Sequence, residues 1–166
     1  TLSYLDQVEV RGGVHALKVD RPVYLNCCRE VTIGPCSLLG FLRGIQVDMP
    51  HRMTLGGGRF VGNSPNAERA PGHNALVLRG GHNISVGDLI VEDTGEHGIR
   101  LTGGELPNEA MATVRFDQVA IHRPGACGFK ASSNIADEDG EQNVIEDLAI
   151  GDLYVEDAGR DLDGLS

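Results

Sequence analysis

The sequence predicts an all-β fold, a stack of about six coils built from short parallel strands. Three observations predict it. Glycine supplies 23 of 166 residues, about twice the usual share of roughly 7%. Aromatic residues make up only 4% of the chain, with no Trp, which leaves the core to Val, Ile and Leu. Above all, one apolar pattern returns along the chain at intervals of about a coil.

The pattern is plainest in three stretches. Ile84 to Gly95, Val114 to Gly125 and Leu148 to Gly159 each read apolar-x-apolar-x-x-apolar-x-apolar and then reach a glycine at the same offset. Period-2 alternation marks strands with one buried face. The two-residue break, such as Gly87-Asp88, marks a corner. A short third strand follows each copy, at His97 to Leu101, Cys127 to Ala131 and Asp163 to Ser166. Earlier copies are fainter: Leu5, Val8 and Val10 before His15 to Val19; Val31, Ile33, Cys36 and Leu38 before Gly44 to Val47; Met53, Leu55 and Phe60 before Asn74 to Leu78. Aligning Val8, Cys36, Gly58, Leu89, Val119 and Leu153 gives steps of 28, 22, 31, 30 and 34 residues. Such a unit cannot close a core alone, so stacking must bury it, with successive coils about 4.8 Å apart. Six coils then stand about 29 Å tall.

The stretch Asn83 to Leu101, NISVGDLIVEDTGEHGIRL, resembles the generic coil of the right-handed parallel β-helix superfamily, which holds pectin-lyase-like enzymes and bacteriophage tailspikes. The resemblance runs over nearly the whole chain and is strongest from residue 72 onward. It implies a right-handed parallel β-helix and leaves the chemistry open, because these coils carry many activities. Rival folds fit less well. No 12-residue window shows the helical period that a doubly wound α/β domain needs. A β-sandwich has no reason for an in-phase coil repeat. Gly56-Gly57-Gly58 with Gly62 lacks the spacing of a dinucleotide loop.

Charge narrows the function. Lys plus Arg number 14 against 24 Asp plus Glu, a net charge of -10, which repels phosphate backbones and argues against nucleic-acid partners. No apolar run nears the roughly 20 residues of a membrane span, so membrane insertion is not expected. The start lacks a signal-peptide pattern. Cys27, Cys28, Cys36 and Cys127 include an adjacent pair that suits neither a disulfide framework nor a zinc spacing. They read as buried small hydrophobes, and no metal or cofactor is expected. Residues 1–166 read as a single domain. The chain opens on a strand pattern and stops inside a third strand, which suggests an excerpt of a longer protein.

In-register stacking turns sequence columns into surface ladders. One column holds Glu92, His122 and Glu156, the candidate catalytic set, since paired carboxylates can perform glycosidase chemistry. Beside it lie Asp93, Arg123 and Asp157. The competing reading is a solvated corner in which His and Arg separate like charges. A second column holds Lys18, Gln46, Val77, Arg100 and Lys130, a local cationic stripe suited to the carboxylates or sulfates of acidic polysaccharides. Next to it run His15, Arg43, Asn74, His97, Cys127 and Asp163. Lys18, His97, Arg100 and Lys130 are the candidate carbohydrate-binding residues. The loop Asp137 to Gln142 is acidic, but its glycine is misplaced for an EF-hand.

The superfamily's enzymes offer a check. Polygalacturonases share Asn-Thr-Asp, double-Asp, Gly-His-Gly and Arg-x-Lys motifs, of which only the third is echoed, at Glu96-His97-Gly98. The resemblance therefore implies a phage-like virion spike or fibre that engages bacterial surface polysaccharide, as a homotrimer among other virion proteins. The alternative is a polysaccharide lyase or glycoside hydrolase, secreted and monomeric. A third reading is a purely structural shaft.

Overall fold

Alternating apolar residues can bury one face only if the strands that carry them are covered, and here they cover one another. A computed structural model describes residues 2–10, 15–17, 20–63, 70–104, 110–135 and 142–159. Among these the chain is all-β, with strands, turns and bends but no helix.

One sheet has six parallel strands, in the order Leu2–Ser3, Val23–Asn26, Ile45–Asp48, Leu76–Arg79, Ile99–Thr102 and Phe129–Ser132. A second sheet consists of two side-by-side parallel ladders. The first runs Gln7–Val10, Glu30–Ile33, Arg52–Leu55 and Gly81–Val86. The second runs His15–Leu17, Cys36–Phe41, Gly58–Gly62 and Leu89–Glu92. The long strand Met111–His122 joins the two, pairing with Gly81–Val86 and with Leu89–Glu92, and Ile145–Glu156 lies along its other edge. A short antiparallel pair, Asn134–Ile135 with Gln142–Asn143, stands apart.

The register follows the repeat. Cys36, Gly58, Leu89, Val119 and Leu153 occupy one column. Val8 does not belong to it; its column is Val31, Met53, Ile84, Val114 and Leu148. The first copy was thus one strand out of phase, because period-2 alternation fits either of two consecutive strands and only the corner between them tells which.

Leu38, Val47, Leu55, Phe60, Leu76, Leu78, Val86, Val91, Ile99, Leu101 and Ile121 are fully buried between the sheets. Of nine residues that the alternation points inward, Val86, Leu89, Val91, Phe116, Val119 and Ile121 are buried. Ile150 is partly buried against them. Leu153 and Val155 remain 46% and 39% exposed, because no described strand pairs with the outer edge of Ile145–Glu156.

Corners also stack. Tyr4, Cys27, Met49 and Gly80 all take left-handed backbone angles, φ 51 to 58°. Each donates its N–H across to the next strand, to Asn26, Asp48, Arg79 and Thr102 carbonyls in turn. Asp93, Arg123 and Asp157 form a second left-handed column, and Asn83, Thr113 and Asp147 a third. A non-glycine residue costs roughly 1–2 kcal/mol in this conformation. The ladder bond that each corner of the first column keeps offsets part of that cost.

Candidate functional site

The outer face of the six-stranded sheet is polar because the strands alternate. Ile45 and Val47, Leu76 and Leu78, and Ile99 and Leu101 point to the core, so the residues between and beyond them face out. Gln46, Val77, Arg100 and Lys130 stand in one column. Asp48, Arg79, Thr102 and Ser132 stand in the next. The stacking of Arg100 on Lys130 agrees with the sequence reading. Lys18 lies outside the described residues. Its expected place beside Gln46 belongs to Tyr24, and His15 pairs with Ser37 in the other sheet rather than with the Arg43 corner.

A groove of about 340 Å³ opens on this face, lined by Arg21, Arg43, Gln46, Gly72, Asn74, Val77, Arg79, Arg100 and Thr102. That volume lies within the roughly 300–1,000 Å³ of small-molecule sites. Two of its four guanidinium groups are held by acids. Arg43 donates two bonds to Asp20, at 3.0 and 2.6 Å, and this grip keeps the Asp20 carboxyl below its ordinary range. Buried Asp48 accepts from Tyr24 Oη at 3.0 Å and from Gln46 Nε2 at 3.1 and 3.0 Å, and Arg79 Nε lies 3.5 Å away. Burial, then the bond to Asp48, pushes the Tyr24 phenol up. Arg21 sits over the Tyr24 ring at 5.0 Å. Sequence columns missed Arg21 and Arg79. The opposed charges of Asp48 and Arg79 in adjacent copies were the signal that could have found the second.

Behind the groove wall lies a buried polar cluster. Glu96, 9% exposed, accepts through Oε2 from the Gly72 N–H at 2.8 Å and from Asn74 Nδ2 at 3.2 Å. Asn74 Oδ1 in turn accepts from the His97 N–H at 2.9 Å. His97, 4% exposed, stands behind the groove and not in it. Its Nδ1 accepts from the Cys127 N–H at 3.2 Å, which fixes a neutral ring with the proton on Nε2. That Nε2 has no hydrogen-bond partner and lies 3.7 Å from Glu96 Oε1.

Burial is the main force lowering the His97 pKa below 6.5. The unfolded chain then binds more protons than the folded one between the two values. The stability from a neutral His97 is complete above pH 6.5 and is lost as pH falls from 6.5 toward the folded pKa. In urea unfolding of wild type and His97→Gln from pH 7.5 to 5.5, the gap between their stabilities is expected to narrow toward the acid end. Parallel curves would show that His97 has the same pKa folded and unfolded.

The second candidate set lies on the other sheet. Register brings Glu92, His122 and Glu156 into one column as expected. Both oxygens of Glu92 are taken, by Arg59 Nε at 2.7 Å and Arg123 Nη2 at 3.2 Å. Arg123 also grips Asp93, with bonds of 2.7 and 3.0 Å. His122 Nδ1 lies 2.9 Å from Glu156 Oε2. The Arg59 bond leads in holding the Glu92 carboxyl below its ordinary range, whereas a glycosidase acid needs its pKa raised. Arginines on both neighbouring strands thus grip Glu92 and favour its ionised form over that of a proton donor. Asp137 to Glu141 of the acidic loop lie outside the described residues. Among the described residues no three His, Cys, Asp or Glu side chains converge as metal ligands, and none of the four cysteines is in a disulfide.

Compared with protein-family models, curated proteins and solved structures, the chain matches none.

Proposed function

We propose that this chain is a right-handed parallel β-helix of about six coils, serving a phage-like virion spike or fibre that engages bacterial surface polysaccharide. The groove on the six-stranded sheet carries the reading: in a chain of net charge -10, four arginines line one site. Guanidinium groups recognise sugar carboxylates through paired hydrogen bonds. A regular parallel ladder supplies rigid strands on which such contacts repeat at about 4.8 Å. The spike assembles as a homotrimer with other virion proteins, so the chain works on the virion.

Two measurements test this. Light scattering of the full chain is expected to give three times the monomer mass of 17.7 kDa. A panel of purified acidic and neutral bacterial polysaccharides is expected to bind in its acidic members. A monomer that releases shortened oligosaccharides instead would establish the lyase or hydrolase alternative.

A further inference from the structure

We infer that His51 and His82 form a two-imidazole site for a divalent transition-metal ion of the copper and nickel class, which clasps neighbouring coils at a corner. The site is separate from the groove on the six-stranded sheet and does not depend on the polysaccharide reading. Register brings the two histidines together. Arg52–Leu55 runs parallel to Gly81–Val86 with Met53 opposite Ile84, which sets His51 beside His82 at the corner that precedes both strands. Their N–H groups donate to the Cys28 and Pro50 carbonyls, at 3.2 and 2.9 Å. The rings meet edge to face, with centroids 4.2 Å apart and planes at 75°. His51 is exposed and His82 partly buried. Among the described residues no hydrogen bond or ion pair engages either ring.

A neutral imidazole keeps a lone pair on one nitrogen and is the commonest metal ligand among side chains. With metal–nitrogen bonds of about 2.0–2.1 Å, two imidazoles on one ion have centroids about 4.4 Å apart at a right angle and about 5.1 Å at the tetrahedral angle. The observed 4.2 Å fits the right angle, which copper and nickel adopt with nitrogen and oxygen ligands. With no bond to break, the rings are free to turn so that one nitrogen of each meets the ion. His51 also lines a pocket of about 280 Å³ with Cys27 and Met49, which has room for waters that complete the shell. The nearest cations are answered: Arg29 lies 3.7 Å from Asp6, and Arg52 pairs with Glu30 at 2.9 Å. Beyond His82 in register stands the small Ala112. The two histidines are a full coil apart in sequence, so the pair exists only where coils stack. An ion held by both binds the folded chain in preference to the unfolded one and stabilises it.

Ni²⁺ is the probe, because Cu²⁺ would oxidise the thiols of Cys27 and Cys127. Titrated calorimetrically into the full chain without an affinity tag, at pH 7.5, it is expected to bind one ion per chain. Mg²⁺ is expected to give no signal, since a hard ion takes oxygen ligands. His51→Asn and His82→Asn are each expected to weaken Ni²⁺ binding at least about tenfold, because the second imidazole acts at the effective concentration that a chelate supplies. Excess Ni²⁺ is expected to raise the urea midpoint of wild type and to leave that of either variant unmoved. Each variant is compared with itself without metal, which separates the ion from the lost ring contact. His122→Asn removes the imidazole beside Glu156 and is the control, expected to bind Ni²⁺ as wild type does. Should one variant of the pair fail to fold, the other carries the same expectation. Wild-type Ni²⁺ affinity in a folded variant of the pair overturns the inference. So does loss of binding in the His122 control, or a wild type that binds no Ni²⁺ at millimolar concentration. Polysaccharide binding is measured without metal, so none of these outcomes touches the broader reading of the protein.

Discussion

Replacing both Arg100 and Lys130 with alanine is expected to weaken binding of an acidic polysaccharide at least tenfold and to flatten its salt dependence. Each residue stands on the outer side of a strand whose inner side holds the core, and each offers a charged donor. A hydrogen bond to a charged group contributes about 1.5–3 kcal/mol, so losing one productive contact suffices for the tenfold change. Screening falls away with the charges, so affinities measured at two salt concentrations converge in the variant. Stability is expected to change by less than about 1 kcal/mol, since neither side chain packs inside. A matched control removes two positive charges from the other sheet: Arg29→Ala with Arg52→Ala, both exposed and paired with Asp6 and Glu30. If the control loses as much affinity, the effect is net charge and the groove is not the site. If neither variant loses affinity, the stripe is a solvated edge.

The columns were legible where the chain repeats its corners. From Leu76 to Glu156 the register matches the alignment residue for residue, because Gly87-Asp88, Asp117-Gln118 and Gly151-Asp152 stand at equal offsets between apolar pairs; the third strand expected at Asp163 to Ser166 lies outside the described residues. Arg100 on Lys130 and Glu92 on His122 followed directly. The first copy carried no such corner signal, so Val8 and His15 were placed one strand away from their ladders. The groove was only half legible for a different reason. Arg21 precedes the Val23–Asn26 strand and belongs to no column, and Arg79 stands one column beyond those the repeat singled out, whereas Arg43 and Asn74 were already in the column beside Gln46. Burial of His97 was invisible because it depends on the 70–74 segment folding back, through Ala70 N–H to the Gly95 carbonyl and Glu96 N–H to the His73 carbonyl. Glu92 looked available because its partner Arg59 faces Ile90 in register and reaches it diagonally.

Gly58→Ala is expected to abolish cooperative folding, whereas Gly72→Ala, also at a left-handed glycine, is expected to cost only about 1–2 kcal/mol. The contrast isolates close packing between strands from backbone strain. Gly58 has φ +136°, and a Cβ there would lie 1.8 Å from the Cys36 carbonyl oxygen and 2.9 Å from its carbon. Both are backbone atoms of the adjacent strand, so no side chain can turn aside. The Gly58 N–H also donates to the Asp88 carbonyl on the opposite side, at 2.8 Å. Moving Gly58 away from Cys36 drives it into Leu89–Glu92, and the displacement passes to every strand of that ladder. A cost above about 4 kcal/mol is a large share of the 5–15 kcal/mol that holds a domain together. Gly72 has φ +84° and nothing within 4 Å of its would-be Cβ, so alanine there meets only the left-handed penalty. Urea unfolding followed by circular dichroism reads both. A Gly58→Ala protein that melts within 1 kcal/mol of wild type would mean that the Cys36 and Gly58 strands do not approach as closely as their register requires. Equal losses in the two variants would place the cost in backbone conformation rather than in the contact.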